Sequence, residues 1–323
     1  MDISVIIPLY NEVDSLPELH QWITKVMVAN RYSYEIILVD DGSNDGSWNW
    51  IEKTSTDDPC LKGVRFRRNY GKSAALHTGF EEAKGDVVIT MDADLQDSPD
   101  EIPKLFGMIK DQGFDLVSGW KKKRYDPLSK TLPSKIYNAT ASYVTGIKLH
   151  DFNCGLKSYK LEVVKSIEVY GEMHRYIPYM AKQAGFSNIG ECVVQHQPRK
   201  YGVTKFGLSR FVFGYLDLIT ISFISRFGKR PMHLFGTLGS LMFLLGLIAI
   251  AWMGIYKLIR LANGVLIERI TLDPYFYLAL TLMILGTQLF LAGFLGELIS
   301  RSAPERNCYL IDKRVNINNK DCY

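Results

Sequence analysis

Residues 86–103 read DVVITMDADLQDSPDEIP, an apolar β-branched run that breaks at once into MDADLQD, residues 91–97. Carboxylates packed that closely repel one another and lose hydration, so a fold keeps them where a cation or a solvated turn relieves the strain. Part of the stretch is helix punctuation: Ser98, Pro99 and Glu101 spell an N-cap, a proline at the first helical position and the acid of a capping box. That occupies Ser98 and Glu101 and leaves Asp92, Asp94 and Gln96 without a structural task.

Working outward, β-branched runs at 3–7, 35–39, 62–66, 86–91 and 114–118 read as strands, and 13–29, 46–54, 72–84 and 99–111 as helices. This alternation predicts an α/β fold with a mainly parallel sheet covered by helices on both faces. Ligands of such sheets sit beyond the carboxyl ends of the strands. The strand ends here read PLYNE (8–12), VDDGS (39–43) and MDADLQ (91–96), so three polar clusters far apart in sequence should meet on one edge. The first strand lacks the glycine-rich turn of a dinucleotide site, and no Walker-type lysine loop occurs. Asp92 and Asp94 share a face by strand alternation. Two carboxylates with a neutral oxygen from Gln96 suit Mg²⁺ or Mn²⁺ bridged to phosphates, and the lack of His or Cys argues against zinc. Asp40 and Asp41 are placed to accept hydrogen bonds from a ribose or base.

The chain has 323 residues, 47% hydrophobic and 22% charged, with a net charge of +4 that says little about nucleic acid. Residues 231–256 and 274–296 carry no Asp, Glu, Lys or Arg. As helices they would run about 39 and 34 Å, enough for a hydrocarbon core of about 30 Å. Two membrane spans are expected; a pair of buried core helices is the other reading. No basic n-region precedes the first strand, so the N-terminal part is expected in the cytosol. Basic residues flank the spans at Arg226, Lys229, Arg230, Arg301 and Arg306, giving both ends inside and a short outer loop. The mostly apolar segment 206–227 is either an interfacial helix or another helix packed on the sheet. Five scattered cysteines are expected as free thiols. Gly236 and Ser240, at small-xxx-small spacing, allow helix association and a homo-oligomer.

Taken in order, VIIPLYNE (5–12), ILVDDGSNDGS (37–47), RNYGKSAALHTGF (68–80), DVVITMDADLQDSPDEIP (86–103), FNCGLKSY (152–159) and HQPRKYGVTKFG (196–207) resemble the inverting family 2 glycosyltransferases of GT-A fold. The likeness is to the subgroup that moves sugars from nucleotide diphosphates to polyprenyl phosphates, such as dolichyl-phosphate mannose synthases and undecaprenyl-phosphate glycosyltransferases. It implies a GT-A catalytic domain over 1–205, an amphipathic juxtamembrane helix over 206–230, a two-helix transmembrane hairpin over 231–300 and a cytosolic tail over 301–323, in a cytoplasmic membrane.

By the same resemblance Pro8, Tyr10 and Glu12 form the base pocket with Asp40 beside it, and Lys72 assists near the nucleotide. Asp92, Asp94 and Gln96 hold the cation. Arg199 and Lys205 close over the donor diphosphate. Lys121, Lys130 and Ser134 hold the acceptor phosphate, although relatives carry arginine at the first two and lysine lacks the bidentate fork. The run 121–124 also reads as a loop facing solvent or lipid headgroups. Asp151 orients the phosphate, acts as a base, or is a buried structural acid. Two rivals differ in class. A processive polysaccharide synthase carries a Gln-x-x-Arg-Trp motif, absent here. A silent membrane scaffold would not need acids at all three strand ends.

Overall fold

The structure, a computed structural model, describes residues 1–122, 128–198, 200, 218, 220, 223, 231–264, 269–301 and 311–316, with backbone alone for 128–136, 300 and 301. In chain order the elements are β1 (Ile3–Leu9), α1 (Leu16–Ala29), β2 (Tyr34–Asp40), α2 (Ser47–Asp57), β3 (Leu61–Phe66), α3 (Lys72–Glu82), β4 (Val87–Thr90), α4 (Ile102–Lys110), β5 (Leu116–Trp120), α5 (Leu128–Thr145), β6 (Lys157–Lys160), α6 (Leu161–Ser166), α7 (Ile177–Gln183) and β7 (Ile189–Val193). Two long helices follow, α8 (Pro231–Ala262) and α9 (Pro274–Arg301), and then a last strand, β8 (Ile311–Val315).

One sheet runs β7-β5-β6-β4-β1-β2-β3-β8. β1 is parallel to β2 on one side and to β4 on the other, and β2 is parallel to β3. Alternation along β1 explains the two-faced burial. Ile3, Val5, Ile7 and Leu9 pack with Leu16, Leu19 and Ile23 of α1, while Ile6 packs with Ala75 and Phe80 of α3. The expected α/β architecture holds, with three departures. First, β6 lies antiparallel between β4 and β5. Its four residues, KSYK, are too short and polar for periodicity to flag, yet Lys157, Ser158 and Tyr159 are all buried. Second, residues 311–315 of the expected tail form β8, antiparallel to β3. Val315 fills the space over Gly63, and Asn316 Nδ2 donates to the Ser55 and Leu61 carbonyls at 2.8 and 2.9 Å, so the sheet edge is covered. Third, the capping box does not form: the Ser98 side chain makes no cap bond, and Glu101 Oε1 instead accepts the Gln195 N–H at 3.1 Å.

The chain divides into two compact units, Met1–Ile221 with Asn307–Tyr323, and Ser222–Arg306. Most of 206–230, the expected interfacial helix, lies outside the described residues. In the second unit α8 and the span Pro274–Ile299 have mean hydropathies of 2.2 and 2.0, and only 17% of each apolar window is buried. A core helix would be mostly covered; here Ile248, Trp252 and Leu295 stand exposed. The two helices meet through glycine: a Cβ on Gly239 would lie 2.5 Å from the Gly286 carbonyl oxygen, and one on Gly246 2.6 Å from that of Ala279. A Cβ on Gly293 would lie 3.2 Å from the backbone nitrogen of Gly236, itself buried, so Gly236 borders the same contact.

Candidate active site

Strand direction assembles the site. The carboxyl ends of β1, β2 and β4 point to one edge, where β1 separates β2 from β4 and the strand order reverses. β6 runs against β4, so its amino end and the turn before it, residues 151–156, reach the same edge. β5 runs against β6, and β7 beside β5, so Trp120 and Val193 end there too.

At the β1–β2 end the acids are held by main-chain N–H groups. Asp40 is fully buried and its Oδ1 accepts the Ser43 N–H at 2.8 Å. Burial raises its carboxyl, while the Ser43 bonds and the Arg65 charge pull the other way. Its Oδ2 makes no hydrogen bond, with Arg65 Nε at 3.7 Å. Asp41 accepts the Tyr70 and Gly71 N–H groups at 2.6 and 2.9 Å, fastening the loop into α3. Burial pushes its carboxyl up to about 6 against those two bonds. The β1 loop is laced to the β2 loop: Asn11 N–H to Ser43 Oγ at 2.9 Å, Glu12 N–H to Ser47 Oγ at 3.2 Å and Val13 N–H to Asp45 Oδ2 at 3.0 Å. Asn11, at φ +55, makes the turn that leaves Tyr10 exposed beside Pro8 and Glu12.

At β4 two of the acids, Asp92 and Asp97, meet ammonium groups. Asp92 Oδ1 is paired with Lys72 Nζ. Burial alone would raise the Asp92 carboxyl; Lys72, with Lys121 and Lys157 behind it, overrides that and holds it well below the carboxylate range. Its carboxylate lies against bare backbone, since a Cβ on Gly155 would stand 2.6 Å from Asp92 Cγ. Asp94 is buried, its Oδ1 accepting the Gln96 N–H at 3.2 Å across a turn in which Leu95 takes φ +60. Asp97, fully buried, pairs with Lys121 Nζ at 2.7 Å.

The expected residues fall into three groups. Asp92, Asp94, Gln96, Lys72, Pro8, Tyr10, Glu12, Asp40 and Asp41 come together around the β1–β4 crevice. Lys121 reaches the same loop, but its side chain is only 13% exposed and is spent on Asp97 rather than standing in an open loop. Asp151 is buried and its Oδ1 accepts the Asn153 N–H at 3.0 Å. Lys130 and Ser134 lie on α5, while Arg199 and Lys205 lie outside the described residues. The described residues before them reach the acid loop, for the Gln197 N–H donates to the Gln96 carbonyl at 3.0 Å. Sequence reading missed Gly155, Asp97 and Lys157. Lys157 is buried under the loop, its ammonium held down by burial and donating to the Phe152 and Cys154 carbonyls. The glycine inside FNCGLKSY was the available signal.

Comparison with known proteins now bears on this arrangement. The sequence model described as Glycosyl transferase family 2 matches residues 4–168. A dodecaprenyl-phosphate galacturonate synthase of Rhizobium johnstonii is 35% identical over 305 residues, 94% of this chain and 88% of that protein. An undecaprenyl-phosphate 4-deoxy-4-formamido-L-arabinose transferase of Aeromonas hydrophila is 35% identical over 301 residues, 93% of this chain and 88% of that protein. The structure of glucosyl-3-phosphoglycerate synthase from Mycobacterium tuberculosis, solved with Mn²⁺, uridine-diphosphate-glucose and glycerol 3-phosphate, aligns with a TM-score of 0.51 at 20% identity, covering 70% of this chain and 79% of that one. That last likeness is one of fold.

Proposed function

The chain belongs to glycosyl transferase family 2, and from that premise we propose that it transfers a sugar from a nucleoside-diphosphate donor to a polyprenyl phosphate in the cytoplasmic membrane. The single observation that carries the reading is the juxtaposition of Asp92, Asp94 and Gln96 with the β1–β2 loops at one sheet edge, in a chain that also has two exposed apolar helices of membrane-spanning length. Both relatives quoted above are named for a polyprenyl phosphate, and the alignments run through the apolar helices as well.

The residues present fit a divalent cation. Their donors are all oxygen, and the ammonium of Lys72 on Asp92 marks where positive charge is drawn. Among the described residues no group of three or more His, Cys, Asp or Glu could hold a metal by itself. Mg²⁺ and Mn²⁺ commonly complete their shells with substrate phosphate and water, so a few protein oxygens would suffice. Asp94, Gln96 and Asp92 would hold it; when bound it supplies charge neutralisation at the departing diphosphate.

The chain's own work is placement. The β1 and β2 loops, laced by Ser43, Asp45 and Ser47, hold the nucleoside end; Arg199 and Lys205 balance the diphosphate. An acceptor phosphate oxygen attacks the anomeric carbon as its bond to the diphosphate oxygen breaks, with inversion. A phosphate monoester is already anionic at neutral pH, so no side chain need remove a proton. Lys130 and Ser134 on α5 serve the acceptor. The two apolar helices anchor the chain in the bilayer that contains that lipid, with the sheet unit on the cytosolic side.

A panel of nucleotide sugars offered with a short-chain polyprenyl phosphate, read by mass spectrometry of the glycolipid, tests the proposal. Asp94→Ala should lower kcat by about 10²–10³ while the protein stays folded, and excess chelator should do the same to the wild type. Undiminished transfer in chelator would overturn the metal assignment.

A further inference from the structure

A buried arginine stands outside everything assigned so far. Arg175 lies on the short helical turn Met173–Tyr176 and is 6% exposed. Its Nε is buried without a hydrogen bond, and among the described residues no carboxylate pairs with its guanidinium. A guanidinium cannot neutralise itself by losing a proton. Burying one with no anion is strongly unfavourable, so its retention points to an anion the protein itself does not supply.

The neighbours on the turn say where that anion lies. The His174 N–H donates to Ser73 Oγ at 3.1 Å, and His174 Nδ1 lies 3.1 Å from the same hydroxyl. Ser73 sits in the first turn of α3, next to Lys72 and its partner Asp92, at a helix end whose free N–H groups favour negative charge. On the other side the Tyr176 hydroxyl is hydrogen-bonded to that of Tyr137 on α5. Positions 130, 134 and 137 fall on one face of α5, being spaced by four and three residues. The turn thus bridges the first turn of α3 to the face of α5 that carries Lys130 and Ser134. Among the described residues no carboxylate of the turn pairs with Arg175, Glu172 standing 3.9 Å from His174 instead.

We propose that Arg175 is a phosphate-binding residue on the acceptor side of the site, its planar fork gripping the phosphate monoester of the polyprenyl acceptor in bidentate fashion. This rests on the polyprenyl-phosphate reading above. A fork here supplies the geometry that a lysine at 130 lacks. The donor diphosphate is the other source of the same chemistry.

The experiment uses the full chain in detergent, with calorimetric titration of two probes: a short-chain polyprenyl phosphate, and uridine diphosphate with Mn²⁺. Arg175→Met keeps the length and removes the charge; Arg175→Lys keeps the charge and removes the fork. The Met variant should bind the polyprenyl phosphate about 10–100-fold more weakly, with the Lys variant between it and wild type and nucleotide affinity changed less than about twofold. The ligand-free Met variant should also melt at or above the wild-type temperature, because an unpaired buried charge has been removed. Weakened nucleotide binding with unchanged polyprenyl-phosphate binding would give Arg175 to the donor and overturn the proposal. So would unchanged affinity for both probes in the Lys and Met variants. Should the Met variant fail to fold, the Lys variant decides by the same criteria. Because binding is read directly, a wild type that binds the lipid phosphate through Arg175 but transfers no sugar would defeat the proposed activity and leave this inference standing.

Discussion

The two halves of the site neutralise their acids differently. Beside β1 and β2, Asp41 and Asp45 are satisfied by main-chain N–H groups, and Asp40 partly so. Beside β4 and β6, Asp92 and Asp97 are satisfied by the ammonium groups of Lys72 and Lys121. An N–H donor is fixed by the fold, so an acid bound to it acts as a fastener for loops. An ammonium ends a flexible stem and can be exchanged for a metal ion or surrender its charge to a phosphate. In the proposed reaction the first half would be scaffold for a nucleoside and the second half would be where charge moves.

Three substitutions sharpen or break that contrast. The largest effect should come from Gly155→Ala, whose new methyl would stand 2.6 Å from Asp92 Cγ and displace that carboxylate. Transfer should fall about 10²-fold, since displacement of about 1 Å suffices, while the melting temperature changes little. A variant as active as wild type would show that the position of Asp92 does not matter. Next, Asp41→Ala strands two buried N–H groups, so stability should fall by about 2–3 kcal/mol with kcat of the surviving folded protein near wild type. Loss of kcat without loss of stability would place Asp41 on the chemical side. The smallest effect is in pH dependence. Asp41 titrates at about 6 when folded and 3.8 when unfolded, so between those values the folded chain binds more protons and its stability falls as pH rises. Asp41→Asn should flatten that slope in melting temperatures taken from pH 4 to 7, and an unaltered slope would assign it to another group.

Much of this was legible in one dimension. Apolar runs gave the leading strands because burial on both faces of a parallel sheet demands them. Asp92, Asp94 and Gln96 stood out because no helix cap accounts for them, and the two uncharged stretches announced themselves by length. What stayed hidden is of another kind. β6 is polar in composition and central in position, since its lysine is buried by its neighbours rather than by its own character. Glu101 looked like a cap and instead fastens Gln195, 94 residues away. Lys121 resembles an acceptor-phosphate residue in sequence, and its ammonium is paired with Asp97, a partner the sequence did not show. The sequence by itself determined which residues are acidic, which segments must avoid water and which strand ends carry the polar clusters. Only the tertiary structure decided whether each acid answers to a backbone N–H or to a lysine, and that, among the described residues, Arg175 Nε is buried without a hydrogen bond. Side-chain periodicity reports the face a residue occupies, whereas its partner is set by strand order and loop return, which bring together residues that local pattern never relates.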